Sequence, residues 1–136
     1  IAGFCGGTEQ DHQDTLTLME EVVFDSAFMF AYSERPGTLA SRKYPDDIPY
    51  EEKTRRLNEI IALQGRMSLK SNEKEIGRVL KVLVEGPSKK NQDELCGRAS
   101  SNKMCVFPSR GEKPGDYCEV EVVSVTSATL LCKRID

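Results

Sequence analysis

The sequence has 136 residues, of which 38% are apolar and 30% charged, and its formal net charge is −3. This balance is typical of a folded globular protein and excludes an intrinsically disordered chain. No apolar stretch is long enough to form a membrane-spanning helix, so we expect a cytoplasmic protein without a membrane partner.

The charge divides unevenly along the chain. Residues 1–72 contain 8 Lys and Arg against 12 Asp and Glu, a net charge of −4, whereas residues 73–136 contain 11 against 10, a net charge of +1. A nucleic-acid-binding domain usually has a clearer basic excess. The second part therefore predicts RNA binding only if its lysines lie on one face.

The cysteines have neither the spacing of a zinc site nor the even number of a disulfide framework, because no two of them form a C-x-x-C pair. We therefore expect small, buried, reduced thiols. The five residues are Cys5, Cys96, Cys105, Cys118 and Cys132.

A glycine-rich stretch, Gly3 to Gly7, precedes the first predicted helix. Thr8 with Asp11 forms a weak capping-box pattern at the start of this helix, and apolar residues recur at helical spacing until about Val23. The glycines allow a close backbone approach to a cofactor or a tight turn, and spacing alone favours the turn. His12 receives no role, since a lone histidine in a first helical turn usually faces solvent or is already hydrogen-bonded.

An unbroken apolar run predicts a strand over Ser26–Tyr32 that is buried on both faces and therefore parallel. Pro36-Gly37 then predicts a turn. The residues around that turn follow the carboxyl end of the strand, where α/β folds bind ligands, although a plain polar loop is the alternative. Strand, helix and strand form a βαβ unit, and two strands cannot close a barrel, so we expect the end of a larger (β/α) barrel. The polar residues concerned are Ser33, Glu34, Arg35 and Thr38.

A loop from Ser41 to Pro49 is predicted to precede a long helix of roughly six turns, because apolar residues recur there with a 3.6-residue period. The arginines of this helix form either an RNA-facing stripe or, as we favour, a solvated face paired with Glu52 and Glu59. Ser71-Asn72 is the predicted link to a second domain. The arginines are Arg55, Arg56 and Arg66.

From Ile76 the apolar period changes to two, and turn-forming segments separate short runs. This pattern predicts a small, OB-like β-barrel of five strands. The predicted strands are centred on residues 79–84 and on Leu95–Ala99, Lys103–Phe107, Tyr117–Val125 and Ala128–Lys133.

Three motifs in series resemble the radical S-adenosylmethionine methylthiotransferases, in the branch that modifies tRNA. They are GFCGGTE from Gly3, YSERPGTLA from Tyr32 and KYPDDIP from Lys43. Gly97-Arg98, Asn102 and the run Lys113-Pro114-Gly115-Asp116 resemble the TRAM domain that ends those enzymes. The resemblance implies that residues 1–72 are the C-terminal portion of a radical S-adenosylmethionine (β/α) barrel, and that residues 73–136 are a TRAM RNA-binding β-barrel.

The resemblance implies an enzyme that adds a methylthio group to C2 of a modified adenosine in the tRNA anticodon loop. The alternatives are a stand-alone RNA-binding module and the relative that modifies a ribosomal protein. The chain starts at Ile1 without an initiator Met. We therefore expect a fragment that is inactive alone. Its expected partners are tRNA and the N-terminal domains of the same protein, which this chain lacks. We also expect it to self-associate through a truncated barrel edge.

The family uses S-adenosylmethionine and two 4Fe–4S clusters, each cluster held by three cysteines. No cysteine here matches either pattern, so we expect the fragment to hold no cofactor by itself, and we assign it no catalytic or metal-binding residue. The resemblance implies backbone contact to S-adenosylmethionine at Gly3 and Gly6. The family usually has Pro where this chain has Cys5 and Glu where it has Gly7.

The predicted RNA-binding residues are basic or amide side chains. Arg35 favours tRNA over a protein substrate, since a guanidinium binds phosphate or stacks on a base, and the alternative is a loop brace paired with Glu34 or Asp46. For Arg98 the alternative is an ion pair with Asp116 or Glu94. The full set is Arg35, Lys89, Lys90, Arg98, Asn102, Lys103 and Arg110.

Overall fold

The computed structural model describes residues 1–135. Helices occupy the first part of this range, and strands occupy the second part. The chain folds into two compact units, the first formed by Ile1–Met67 and the second beginning at Ser68. No helix among these residues is long and apolar enough to cross a membrane. The elements are α1 Glu9–Val22, α2 Leu39–Lys43, α3 Tyr50–Glu73, β1 Val79–Pro87, β2 Glu94–Ala99, β3 Met104–Pro108, β4 Tyr117–Val125 and β5 Leu130–Arg134.

The start and end of α1 agree with the sequence prediction. The Thr8 hydroxyl accepts from the Asp11 N–H, and the Asp11 carboxylate accepts from the Thr8 N–H, so both halves of the capping box form. The helix ends at Val23, which adopts the left-handed conformation with φ of 55°. The first unit has a small apolar core around this helix, formed by Ala2, Met19, Ile60 and Leu63.

The predicted buried strand over Ser26–Tyr32 is wrong in its burial. The segment is extended and pairs in the parallel sense, but only through one bridge between Ala2 and Ala31. Phe28 is 94% exposed and Phe30 is 61% exposed, because Ala2 is the sole backbone partner of this run within residues 1–135. The expected self-association through this edge stays a prediction.

The Pro36-Gly37 turn forms as predicted, with Gly37 at φ of 84°. The predicted loop from Ser41 is partly wrong, because Thr38 caps the short helix α2 through a hydrogen bond from the Ser41 N–H.

Helix α3 begins directly after Pro49 but continues through the predicted link. Asn72 therefore lies in its last turn, 6% exposed, and its amide donates to the Thr126 carbonyl (2.8 Å).

The second unit contains a closed barrel in the order β1-β2-β3-β5-β4, which confirms the OB-like prediction. Its neighbouring strands are antiparallel except for β3 and β5, whose parallel pairing closes the barrel. Inward and outward residues alternate along each strand, and the interior is apolar. The most deeply buried side chains are Phe107, Leu130, Val82, Val84, Val120, Val122 and Cys105.

Gly97 permits the close approach of β1 and β2. It pairs with Val84, and a Cβ at Gly97 would overlap the Leu83 carbonyl oxygen and crowd Val82. By contrast, a Cβ at Gly65 in α3 would meet no atom within 4 Å. The two glycines therefore differ in physical role, although both lie within regular elements.

Replacing these glycines should change stability in opposite directions. Gly97→Ala should lower the free energy of unfolding by about 1–3 kcal/mol, because the strand backbones must separate. Gly65→Ala should raise it by roughly 0.5–1 kcal/mol, because alanine favours the helix. Thermal unfolding followed by circular dichroism measures both, and an unchanged Gly97→Ala midpoint would contradict the close-approach interpretation.

Candidate functional site

One end of the barrel gathers two loops that carry basic residues. Pro87 pairs with Leu95 and Glu94 pairs with Pro108, so the β1–β2 and β3–β4 loops leave the barrel at the same end. The Ser109 N–H donates to the Asp93 carbonyl (3.0 Å), which ties the two loops together. We call this region, residues 88–93 and 109–116, the loop end.

Three lysines at the loop end are available to a ligand. Lys89 and Lys90 lie in the first loop and Lys113 in the second, and all three are exposed. Within residues 1–135 their ammonium groups make no ion pair. Sequence reasoning did not select Lys113, although it lies in the segment Lys113-Pro114-Gly115-Asp116 that carried the resemblance. Strand register, rather than composition, places the two loops that carry these lysines at the same end of the barrel.

Arg110 is also exposed at the loop end. Its backbone N–H donates to the Glu112 carboxylate (2.9 Å), which also pairs with Arg134 (2.5 Å). The hydrogen bond from the Arg110 N–H has the largest effect in lowering the pKa of Glu112, and the contact with Arg134 lowers it further. The Glu112 carboxylate is therefore negatively charged, and Arg134 balances that charge.

Three more of the predicted RNA contacts, Arg98, Asn102 and Lys103, lie in or beside the β2–β3 turn of the barrel, and both cations already have partners. Arg98 pairs with Glu85 on β1 (3.0 Å) and donates to the Asn102 carbonyl (2.9 Å). Its partner is thus neither Asp116 nor Glu94. Asn102 adopts φ of 66° in the β2–β3 turn. Arg98 therefore braces this turn, and these contacts favour the structural role over a phosphate contact.

Lys103 is poorly placed for RNA. Its side chain is 10% exposed, and its ammonium donates to the Ser71 hydroxyl (2.8 Å) and lies 3.9 Å from Glu75. The structure therefore does not support Lys103 as an RNA contact, since an ammonium engaged inside the unit cannot neutralise phosphate.

In the first unit, Arg35 lines an open cleft of about 500 Å³ together with Phe30, Tyr32 and Thr38. Neither predicted brace forms: Glu34 accepts from the Ser41 hydroxyl (2.8 Å), and Asp46 accepts from Lys53 (2.5 Å). The exposed Arg35 guanidinium makes no ion pair among residues 1–135. The cleft thus combines aromatic surface with a free cation.

The predicted cofactor glycines have structural roles in this unit. A Cβ at Gly3 would overlap the Lys53 side chain, which is buried and also lies 5.1 Å from the centre of the Tyr32 ring. The Gly6 N–H donates to Asp47 (2.8 Å) and is therefore unavailable to a ligand. Arg56, 7% exposed, donates to the Gly7 carbonyl (3.0 Å), so it is not part of the predicted solvated face.

The predicted pairing of Arg55 with carboxylates is confirmed. Its guanidinium donates to Glu52, Glu59 and Glu9. Glu9, His12 and Glu59 could otherwise act as metal ligands, their ligand atoms lying within 4.8 Å of one another. Arg55 supplies the positive charge that a metal ion would bring to Glu9 and Glu59. The buried His12 hydrogen-bonds to Glu59 (2.5 Å).

Comparison with known proteins assigns the barrel. The model of the TRAM domain matches residues 73–133. These residues are thus similar to the TRAM domain over the whole match. The TRAM barrel therefore includes all five strands apart from the last residue of β5, Arg134.

The similarity extends beyond the TRAM domain. Three relatives, each named tRNA-2-methylthio-N(6)-dimethylallyladenosine synthase, come from Amoebophilus asiaticus, Phocaeicola vulgatus and Porphyromonas gingivalis. They are 56%, 50% and 50% identical over 96%, 96% and 100% of this chain, which spans 27%, 28% and 29% of their lengths. The apo form of Mycoplasma genitalium RNase R matches with a TM-score of 0.34 at 9% identity, over 71% of this chain and 19% of that one. That score supports no inference.

The residues present do not fit S-adenosylmethionine or an iron–sulfur cluster. The cavity beside Gly3 holds about 110 Å³, whereas small-molecule sites usually hold about 300–1,000 Å³. Cys105 and Cys132 are buried inside the TRAM barrel. The Cys132 thiol donates to Cys105, and this hydrogen bond together with burial raises the pKa of Cys132, which disfavours the thiolate that iron requires.

The Arg55 network should make stability sensitive to acid. The Arg55 guanidinium lowers the pKa of Glu52 from 4.5 to about 2. A depressed folded-state pKa contributes stability that is present above pH 4.5 and is lost as the pH falls towards 2. Arg55→Met should weaken the acid dependence of the thermal midpoint between pH 5 and pH 2, whereas Arg66→Met, on the same helix, should leave it unchanged. Identical pH profiles for the wild type and Arg55→Met would contradict this.

Arg98→Ala should destabilise the TRAM barrel without weakening RNA binding. Loss of its ion pair and hydrogen bond should cost about 1 kcal/mol of unfolding free energy. Lys90→Ala provides the matched control, with unchanged stability and weaker RNA binding. Thermal unfolding measures the stability of both variants, and RNA titration measures their RNA affinity. Reduced RNA affinity in Arg98→Ala with an unchanged thermal midpoint would restore the phosphate-contact interpretation.

Proposed function

We propose that this chain is the C-terminal part of a tRNA methylthiotransferase. Identity of 50–56% over 96–100% of the chain to three tRNA-2-methylthio-N(6)-dimethylallyladenosine synthases is the observation that carries the proposal. The reaction of the whole protein is transfer of a methylthio group to C2 of an N6-modified adenosine in the anticodon loop. Its compartment is the cytoplasm, where tRNA is used.

Residues 1–72 contribute the end of a radical S-adenosylmethionine (β/α) barrel in this proposal. The parallel bridge between Ala2 and Ala31 supports it, since barrel strands of this kind run parallel. The turn after Tyr32 then belongs to the rim that meets substrate. S-adenosylmethionine and the two 4Fe–4S clusters are held by parts of the protein outside this chain.

The TRAM domain contributes RNA binding through the loop end. Lys89, Lys90 and Lys113 offer ammonium groups that are unpaired within residues 1–135, and these groups neutralise phosphates and release counterions. Phosphate contacts position an RNA without reading its sequence. This domain therefore orients the tRNA, and the choice of nucleotide depends on the catalytic domain.

Arg35 favours tRNA over a protein substrate. Its free guanidinium lies beside Tyr32 and Phe30, and such a group forks onto phosphate or stacks on a base. The stand-alone RNA-binding module is the second candidate. The carboxyl rim of an extended segment, with its cleft of about 500 Å³, favours the enzyme over the module.

The test uses the complete protein, with its clusters reconstituted, and tRNA from cells that lack the modification. Mass spectrometry of the nucleosides should show a methylthio product. Arg35→Ala should lower kcat/KM at least about tenfold, the loss of one charge-assisted contact. Arg42→Ala removes a nearby exposed arginine and should leave kcat/KM unchanged.

Absence of product from the wild-type complete protein would reject the enzyme. Equal kcat/KM for Arg35→Ala and wild type would reject only the role of Arg35. Methylthiolation of a ribosomal protein instead of tRNA would transfer the assignment to that alternative.

A further inference from the structure

We propose that Tyr117 and Lys81 form a stacking platform for an unpaired RNA base on the outside of the TRAM barrel. The inference rests on the proposed RNA-binding function and deepens it, because it names unpaired nucleotides rather than duplex as the ligand. The platform adds a contact to the base where the lysines of the loop end provide contacts to the backbone.

Tyr117 exposes aromatic surface that the barrel does not use. It is the first residue of β4 and points outward, since its neighbour Cys118 is buried in the barrel core. Tyr117 is 62% exposed, whereas the interior Phe107 is fully buried. Leu83, 37% exposed, pairs directly with Tyr117 across β1 and β4 and extends the apolar surface.

Lys81 places a cation against this ring. Its ammonium lies 4.8 Å from the centre of the Tyr117 ring. Glu119 faces Lys81 in the strand register, yet Lys81 makes no ion pair within residues 1–135. A base that stacks on Tyr117 brings its own phosphate near this ammonium, so one site offers both a π surface and a positive charge.

The platform continues the loop end. Tyr117 directly follows the second loop, and the Gly115 N–H donates to the Val84 carbonyl (2.9 Å) beside Leu83. Lys113 lies in the second loop, four residues before Tyr117, whereas the register places Tyr117 level with Leu83, the middle residue of β1, and Lys89 and Lys90 follow the far end of that strand. An RNA backbone held by these lysines can present a base to Tyr117 only if that base is unstacked, which duplex RNA does not allow.

Binding of two RNA probes by the 136-residue chain tests the platform. One probe is a single-stranded oligonucleotide and the other is a duplex of equal length. Tyr117→Ala should lower single-strand affinity roughly 5- to 100-fold, the range for loss of one base–aromatic stack, with little change for duplex. Tyr117→Phe should retain the affinity. Tyr50→Ala, a change of the same kind at a residue 76% exposed on α3, should have no effect.

Tyrosine fluorescence gives a readout that a merely structural role would not change. The chain has four tyrosines and no tryptophan. A base stacked on Tyr117 should quench part of the emission of the wild type, and Tyr117→Phe should abolish that part while it still binds RNA. This comparison also holds if Tyr117→Ala fails to fold.

Other outcomes separate this inference from the proposed function. If Lys89→Ala and Lys90→Ala weaken binding but Tyr117→Ala does not, the stacking platform is overturned and RNA binding stands. Equal losses on single strand and duplex in Tyr117→Ala also overturn the platform. If the wild-type chain binds neither probe, RNA binding by this domain and the platform fail together. Quenching by polyglutamate but not RNA would assign the surface to an acidic protein partner.

Discussion

The parallel pairing of β3 with β5 is the constraint on which the second unit depends. Without it the order β1-β2-β3-β5-β4 would be an open sheet with two unpaired edges. Closure gives every strand two neighbours and encloses the apolar core. It also fixes the ends at which the loops leave the barrel, so it decides which surface residues can act together.

This constraint separates the basic residues of the TRAM domain into two groups. At one end, Arg98 and Lys103 meet Glu85, Ser71 and Glu75, so their charges stabilise the barrel. At the other end, the lysines of the loop end meet no carboxylate of the described chain. The loop end also contains Asp93, Glu112 and Asp116, but Glu112 pairs with Arg134 and Asp116 accepts from the Lys113 backbone N–H, so the lysine ammonium groups stay unpaired within residues 1–135.

In the first unit, buried cations support the glycine-rich loop. Lys53 packs against Gly3 and pairs with Asp46, and Arg56 donates to the Gly7 carbonyl. Burial of a charge is costly unless it is paired and hydrogen-bonded, and here each of these cations has such partners. The loop conformation thus depends on side chains of α3, about fifty positions later in the chain.

Local patterns in the sequence determined much of this protein. The Thr8 capping box, the Pro36-Gly37 turn, the start of α3 after Pro49 and the bounds of β4 follow from backbone preferences and from apolar periodicity, which act over a few residues. The alternation after Ile76 was sufficient for a five-stranded barrel. Short motifs within its strands and turns also indicated the TRAM domain.

Only the tertiary structure decided which groups are free. The partner of Arg98 is Glu85 rather than Asp116 or Glu94, because the β1–β2 register places Arg98 opposite Leu83 on the neighbouring strand. The β1–β4 register brings the exposed Tyr117 near Lys81, and contacts with Ser71 and Glu75 bury Lys103. An apolar run predicts a strand, but its burial depends on neighbouring strands. Phe28 stays exposed because, within residues 1–135, Ala2 alone pairs with its segment. Ion pairs and burial are contacts between residues distant in sequence, and a local pattern carries no information about them.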